Sequence, residues 1–184
     1  MTSRSRGARE EAGTTSERGA SPPRVLVVGL GNDDRGDDGA GLEAARRLAP
    51  ALAGRAEVRA HAGEPVDLIG VWGEADLLIL IDAARTGRAA GTLHRFEPSG
   101  AEPSGAEPSG GRLGASSHAF DLLVALRLSH ALGTAPRRTV VHAIEGERFG
   151  FGASRCGAVE RALPRLVERV LDEVRRAPVE PASG

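Results

Sequence analysis

The sequence predicts an α/β fold, a three-layer sandwich in which a mostly parallel sheet of about five strands carries helices on both faces. Two observations indicate this fold. Segments typical of strands alternate along the chain with segments typical of amphipathic helices, as expected when crossover helices join parallel strands. In addition, residues 77–81 are apolar at every position, which is typical of a central strand covered on both faces.

The first half of the domain begins with a short apolar strand over residues 24–29, which ends in a glycine turn. A helix is predicted over 38–49, with Pro50 expected to end it. Residues 56–61 alternate weakly between apolar and polar, which predicts a more exposed strand. A short helix is predicted over 64–71, with a proline near its first position.

The second half contains the central strand, 75–81, and a short strand over 91–96 that suits the edge of the sheet. A helix is predicted over 118–132, where Gly133 stops it. The last strand is predicted over 139–144. An amphipathic C-terminal helix follows over 154–176 with its apolar residues at helical spacing.

One domain is expected from a chain of 184 residues, and we assign it to 24–176. Residues 1–23 have no large apolar residue after Met1 and are predicted to form a disordered tail. Residues 97–111 contain three copies of Glu-Pro-Ser-Gly, and proline and glycine at this density predict a flexible loop. Residues 177–184 are predicted to form a C-terminal tail.

Composition argues against several classes of protein. The net charge of −1 gives no electrostatic footprint for nucleic acid. Cys156 is the single cysteine, so neither an intrachain disulfide nor a zinc site built on several cysteines is possible. No apolar run approaches the roughly 20 residues that span a bilayer, and the N-terminal segment lacks the apolar region of a secretory signal. We therefore expect a cytoplasmic protein that binds neither nucleic acid nor membrane, with a monomer as the simplest oligomeric state.

The turn after the first strand carries four aspartates: Asp33, Asp34, Asp37 and Asp38. Its glycines depart from the dinucleotide-binding fingerprint because Asp34 stands where the third glycine belongs. Four carboxylates would repel a phosphate, whereas carboxylate oxygens suit a divalent cation. One or two of the aspartates are expected only to cap the following helix. The turn therefore favours a metal site over a nucleotide site.

Three polar residues are expected to converge on this site. Asp38 follows the first strand, Asp82 ends the central strand, and His118 begins a helix. The carboxyl ends of parallel strands face one crevice, and a helix N-terminus favours the neutral imidazole that binds metals. Two carboxylates and one imidazole predict a metal site with open positions.

Alternatives remain at each of these positions. Spacing alone does not decide between Asp37 and Asp38 as the ligand. Asp82 is also suited to capping a turn, and His118 to an exposed first turn. Glu145, at the end of the last strand, is expected at the surface, with a position behind the metal ligands as the alternative.

Five short stretches occur in one order between about residues 24 and 172: Gly29-Leu30-Gly31-Asn32, Arg35-Gly36-Asp37-Asp38-Gly39-Ala40-Gly41, Ile81-Asp82-Ala83, Ser117-His118 and Ala143-Ile144-Glu145. Together they resemble the hydrogenase maturation protease family. The resemblance implies an endopeptidase that removes a C-terminal extension from the large-subunit precursor of a nickel–iron hydrogenase after nickel insertion.

The resemblance also implies a site. The family's metal-contacting positions fall here on Asp38, Asp82 and His118. The nickel belongs to the substrate, so we expect no tightly bound metal in the protease itself. Asp38 is the expected catalytic residue of an aspartic-type endopeptidase, with water activated by a carboxylate or by the metal as the natural route. Two departures are that Asp38 replaces a frequent glutamate and that the repeat lengthens the loop before His118.

Two other functions fit the same residues. One is a different metal-dependent hydrolase with its own tightly bound metal, and the other is a non-catalytic nickel carrier or hydrogenase assembly chaperone. A serine or cysteine hydrolase is not favoured, because the sequence contains no G-x-S-x-G elbow and Cys156 has no evident partner.

Overall fold

A computed structural model describes residues 24–62, 65–73, 75–98 and 117–177. The strands are β1 (Val25–Leu30), β2 (Glu57–His61), β3 (Leu77–Ala84), β4 (Leu93–Phe96) and β5 (Arg138–Glu145). The helices are α1 (Ala40–Leu52), α2 (Ile69–Trp72), α3 (Ser117–Ala131) and α4 (Gly157–Arg176), with 3₁₀ segments at Asp33–Gly39 and Pro65–Leu68. The proposed N-terminal tail, residues 178–184 of the proposed C-terminal tail, and all but residues 97–98 of the repeat loop lie outside the described residues.

The five strands form one sheet in the order β2-β1-β3-β5-β4. All neighbouring strands are parallel except β4, which runs antiparallel to β5 at the edge. The α/β class, the parallel sheet and the short edge strand that the sequence predicts are therefore confirmed.

Helices cover both faces of the sheet, because side chains of the central strands alternate between two cores. Val27 and Ile79 pack with α1 and α4 in one core. Val28 and Leu80 pack with α2 and α3 in the other. Each fully buried Val, Leu or Ile contributes about 1.5–3 kcal/mol through removal of apolar surface from water. Burial on both faces explains why β3 is apolar at every position from 77 to 81.

The connections place the topological switch point of the sheet at the carboxyl ends of β1 and β3, the edge at which a ligand crevice is expected. From β1 the chain passes through α1 on one face to β2. From β3 it passes through the edge strand β4 and then through α3 on the other face to β5. The strand order thus reverses between β1 and β3, which is where open α/β sheets bind their ligands.

Two sequence predictions of element ends are wrong. Pro50 does not end α1, which continues to Leu52, because Leu52 is buried in the core and its packing stabilises the last turn. Asp82 is not the last residue of its strand, since β3 continues to Ala84 in register with Glu145 of β5.

None of the described helices is long and apolar enough to cross a membrane.

Candidate active site

The segment that follows β1 folds back over the ends of β1 and β3, and glycines make this possible. Gly31 has φ of +132°, and a Cβ there would overlap the carbonyl oxygen of Asp38. A Cβ at Gly41 would overlap the carbonyl oxygens of Leu30 and Ile81. Asn32 opens the 3₁₀ segment, where its side chain accepts a hydrogen bond from the Asp34 N–H at 2.9 Å. The local sequence therefore brings the aspartates to the crevice.

Asp37 is fully buried and is used to hold the structure together. Its Oδ2 accepts hydrogen bonds from the N–H groups of Glu147 and Arg148, each at 2.8 Å, and its Oδ1 accepts one from Cys156 at 2.7 Å. Burial alone would raise the pKa of Asp37, but these three backbone donors outweigh it and lower the pKa. Asp37 thus fastens the 3₁₀ segment to the chain between β5 and α4.

Asp38 differs sharply from its neighbour. It is only 6% exposed, yet its Oδ2 is buried without a hydrogen-bond donor among the residues that the structure describes. A buried carboxylate oxygen without a donor costs about 1–3 kcal/mol or more when charged, and a water, an ion or a catalytic role would each account for it. Of the two aspartates that sequence spacing cannot separate, Asp38 is the one with a carboxylate oxygen that no described donor occupies.

Asp82 lies next to this segment, on the central strand. It is 5% exposed, and its Oδ1 accepts a hydrogen bond from the Ala83 N–H at 2.8 Å. The 3₁₀ segment that carries Asp38 contacts β3. Because side chains alternate along a strand, Asp82 points to the same face as Leu80, which packs against α3.

His118 lies in the first turn of α3, as the sequence predicts. Its side chain falls outside what the structure describes, so no geometry is assigned to it. Among the described side chains, no group of three or more His, Cys, Asp or Glu forms a metal site. The fold nevertheless brings the helix that begins at Ser117 to the sheet face toward which Asp82 points.

The surface position expected for Glu145 is wrong, because Glu145 is 1% exposed. Its Oε1 accepts hydrogen bonds from the N–H groups of Thr86 and Gly87 at 2.6 and 2.8 Å. Its Oε2 accepts one from the Thr86 hydroxyl at 2.8 Å and lies 3.2 Å from His94 Nε2. Glu145 therefore fixes the turn that follows β3. No local sequence pattern signals this burial, because the backbone donors of the turn lie 57 to 59 residues away in the chain.

Another buried group lies away from this edge and has no such role. His142, in β5, is 1% exposed, and burial lowers its pKa to about 4. It is therefore neutral near pH 7 and belongs to the core.

Comparison with known proteins identifies the family. The model of the HycI hydrogenase maturation protease family matches residues 62–173. Sequence comparison with curated proteins finds no match.

Solved structures extend the similarity to most of the chain. The hydrogenase maturating endopeptidase HybD from Escherichia coli is 23% identical, with 87% of this chain and 98% of that chain covered and a TM-score of 0.66. The [NiFe] hydrogenase maturation protease HycI from Thermococcus kodakarensis is 20% identical over 84% and 94% of the two chains, with a TM-score of 0.66. HybD from the same archaeon is 25% identical over 82% and 99%, with a TM-score of 0.64. By its family match and its fold, this chain belongs to the hydrogenase maturation proteases, a family of endopeptidases.

Proposed function

We propose that this endopeptidase removes a C-terminal extension from the large-subunit precursor of a nickel–iron hydrogenase, and that it does so after nickel has been inserted. The observation that carries the proposal is the buried Oδ2 of Asp38, which has no donor among the described residues and lies at the switch point of the sheet. The cytoplasmic location expected from the sequence is part of this proposal.

The donors proposed for the nickel of the substrate are the carboxylates of Asp38 and Asp82 and the imidazole of His118. Carboxylate oxygen and imidazole nitrogen both suit divalent nickel. A carboxylate oxygen held in a buried place without a protein donor suits a cation, whose charge would offset the cost of burial. Asp37 does not suit this role, because three backbone N–H groups already occupy its oxygens.

Asp38 is also the proposed general base. A carboxylate that activates water must lie within about 2.6–3.2 Å of the water oxygen whose proton it accepts. Such a general base accelerates a reaction by about 10²–10⁴-fold. The three hydrogen bonds of Asp37 fix the backbone of this segment. Asp38 is therefore held in a fixed position, although its own carboxylate carries none of these structural hydrogen bonds. Asp82 and His118 would orient the loaded precursor so that its peptide bond meets the activated water.

Such a site makes cleavage depend on nickel. A precursor without nickel would leave the carboxylates without the cation that offsets their burial, and it would therefore bind less well. Cleavage is then a check that metal insertion is complete.

Intact-mass measurement of the precursor tests the proposal. The nickel-loaded precursor and a nickel-free sample are each incubated with the wild-type protein and with Asp38→Asn, Asp82→Asn and Asp34→Asn. We expect loss of a C-terminal peptide only from the loaded sample, a rate at least about 100-fold lower for Asp38→Asn, and no change for the exposed Asp34 control.

The other outcomes separate the competing functions. Equal cleavage of loaded and nickel-free precursor would discard the nickel requirement. No cleavage, with the precursor still bound, would favour the carrier or chaperone. A tightly held metal in the purified chain, found by elemental analysis, would favour a hydrolase with its own metal.

A further inference from the structure

Beside the site, two arginines from different loops both contact Phe149, which lies in a third loop. We call them the Arg–Phe cluster: Arg35 follows β1, Arg85 follows β3 and Phe149 follows β5. Arg35 Nε donates to the carbonyl oxygen of Phe149 at 3.3 Å. The Arg85 guanidinium lies 5.8 Å from the centroid of the Phe149 ring, within the range of a cation–π contact. Since β1, β3 and β5 are neighbours in the sheet, the cluster lies along the crevice edge.

The cluster adjoins the aspartates directly. A Cβ on Gly146 would lie 2.7 Å from Phe149 Cζ and 2.8 Å from Asp37 Cβ, so the ring and Asp37 both pack against Gly146. Asp38 is the next residue in the chain. The Arg–Phe cluster is therefore in a position to contact a peptide that reaches Asp38.

Backbone hydrogen bonds join the two loops that carry Arg35 and Phe149. The N–H of Asp37 donates to the carbonyl oxygen of Arg148 at 2.8 Å, and the N–H of Gly152 donates to that of Asp34 at 2.6 Å. A preorganised surface of this kind loses little conformational entropy when a ligand binds.

Among the described residues, the two positive charges of the cluster have no carboxylate partner. Arg35 and Arg85 are exposed, and within the described part of the chain neither forms an ion pair with a carboxylate. Nearby charges are largely matched, since Asp33 pairs with Arg46 at 3.0 Å and Glu147 lies 3.8 Å from Arg148. The cluster therefore presents a net positive surface with an aromatic face.

We propose that the Arg–Phe cluster binds acidic side chains of the hydrogenase precursor close to the bond that is cleaved. This inference rests on the proposed function and identifies a substrate-docking surface for the same site. One guanidinium contacts the backbone of Phe149 and the other its ring, so the two cations flank a whole residue. That arrangement suits acidic side chains along an extended segment better than a single terminal carboxylate, while the ring packs against their apolar stems.

The test is the double charge reversal Arg35→Glu with Arg85→Glu, assayed for cleavage of the nickel-loaded precursor. We expect KM to rise about tenfold with kcat within about twofold, because rim charges act on association more than on chemistry. The difference from wild type should shrink between about 0.05 and 0.5 M salt as the charges are screened. Arg55→Glu with Arg165→Glu, two exposed arginines away from the crevice, is the matched control and should leave KM unchanged.

Each outcome decides the inference. An unchanged KM in the crevice variant, with wild-type cleavage intact, refutes it. An equal rise in the control variant shows a general charge effect and also refutes it. Amidation of the precursor's C-terminus should leave KM unchanged, and a tenfold rise would assign the cluster to the terminal carboxylate instead. If the wild-type protein does not cleave the precursor at all, the proposed function fails first, and binding of the labelled precursor, measured by fluorescence anisotropy, still tests the cluster.

Discussion

Replacing Asp37 with asparagine is expected to destabilise the fold by about 3 kcal/mol. The carboxylate accepts three buried backbone hydrogen bonds, two at Oδ2 and one at Oδ1. The asparagine oxygen can replace Oδ2 and keep the bonds from Glu147 and Arg148. Its NH₂ group then faces the Cys156 N–H, so that two donors meet where a donor met an acceptor.

The magnitude follows from these bonds. A hydrogen bond to a charged group contributes about 1.5–3 kcal/mol, and a buried donor left without an acceptor costs about 1–3 kcal/mol. The two retained bonds also weaken when the acceptor becomes neutral. The relief of burying a charge offsets part of this loss. A net value of about 3 kcal/mol is a large fraction of the 5–15 kcal/mol typical of a domain.

Urea unfolding at pH 7, followed by circular dichroism, measures the effect. With an m value of about 2 kcal/mol/M, the midpoint should fall by about 1.5 M. Asp34→Asn, an exposed neighbour, is the control and should stay within about 0.5 kcal/mol of wild type. A midpoint for Asp37→Asn within about 0.3 M of wild type would refute the structural role assigned to Asp37.

The pH dependence gives a second check on the same variant. The pKa of Asp37 is lower in the folded protein than its ordinary value of 3.8, so its stabilisation is complete above about that pH. The stabilisation is lost as the pH falls through the folded-state pKa. The difference in unfolding free energy between wild type and Asp37→Asn should therefore be constant from pH 7 to 5 and narrow below about pH 4. A difference that widens on acidification would contradict the assignment.

Three further predictions concern the same edge of the sheet. Asp38→Asn should abolish precursor cleavage while leaving the urea midpoint unchanged or higher, because the buried Oδ2 has no described donor to lose. Glu145→Gln should cost about 2–4 kcal/mol in unfolding free energy, since its carboxylate accepts several hydrogen bonds from the turn after β3; a cost under about 0.5 kcal/mol would contradict this. Gly41→Ala should prevent stable folding, judged by circular dichroism, because its Cβ would overlap two carbonyl oxygens, whereas Gly70→Ala, with open space around it, should fold normally.

The class of fold could be predicted from the sequence because its signals are local. The apolar run of β3 and the alternation of strand and helix patterns follow from burial, and burial is confirmed on both faces. Element ends were less predictable. The last turn of α1 depends on the tertiary packing of Leu52, which overrides the local preference of Pro50 to end a helix.

The candidate site was predictable only in part. That Asp38 and Asp82 would lie on neighbouring segments at one edge followed from strand order. The burial of Glu145 did not follow from its residue type, because glutamate is usually exposed and only its long-range partners in the 86–88 turn make burial favourable. Such partners are 57 to 59 residues away in sequence, beyond the reach of any local pattern.

Asp37 and Asp38 show why two adjacent carboxylates of equal chemistry have different uses. Neighbouring residues in a tight segment point in different directions, so one faces the backbone donors between β5 and α4 and the other does not. The donors that satisfy Asp37 make it a poor ligand, because a cation would have to replace three hydrogen bonds. The same donors fix the backbone on which Asp38 is carried. The structural aspartate thus fixes Asp38 in a buried position with one oxygen that no described donor occupies, which is the arrangement that the proposed cation site requires.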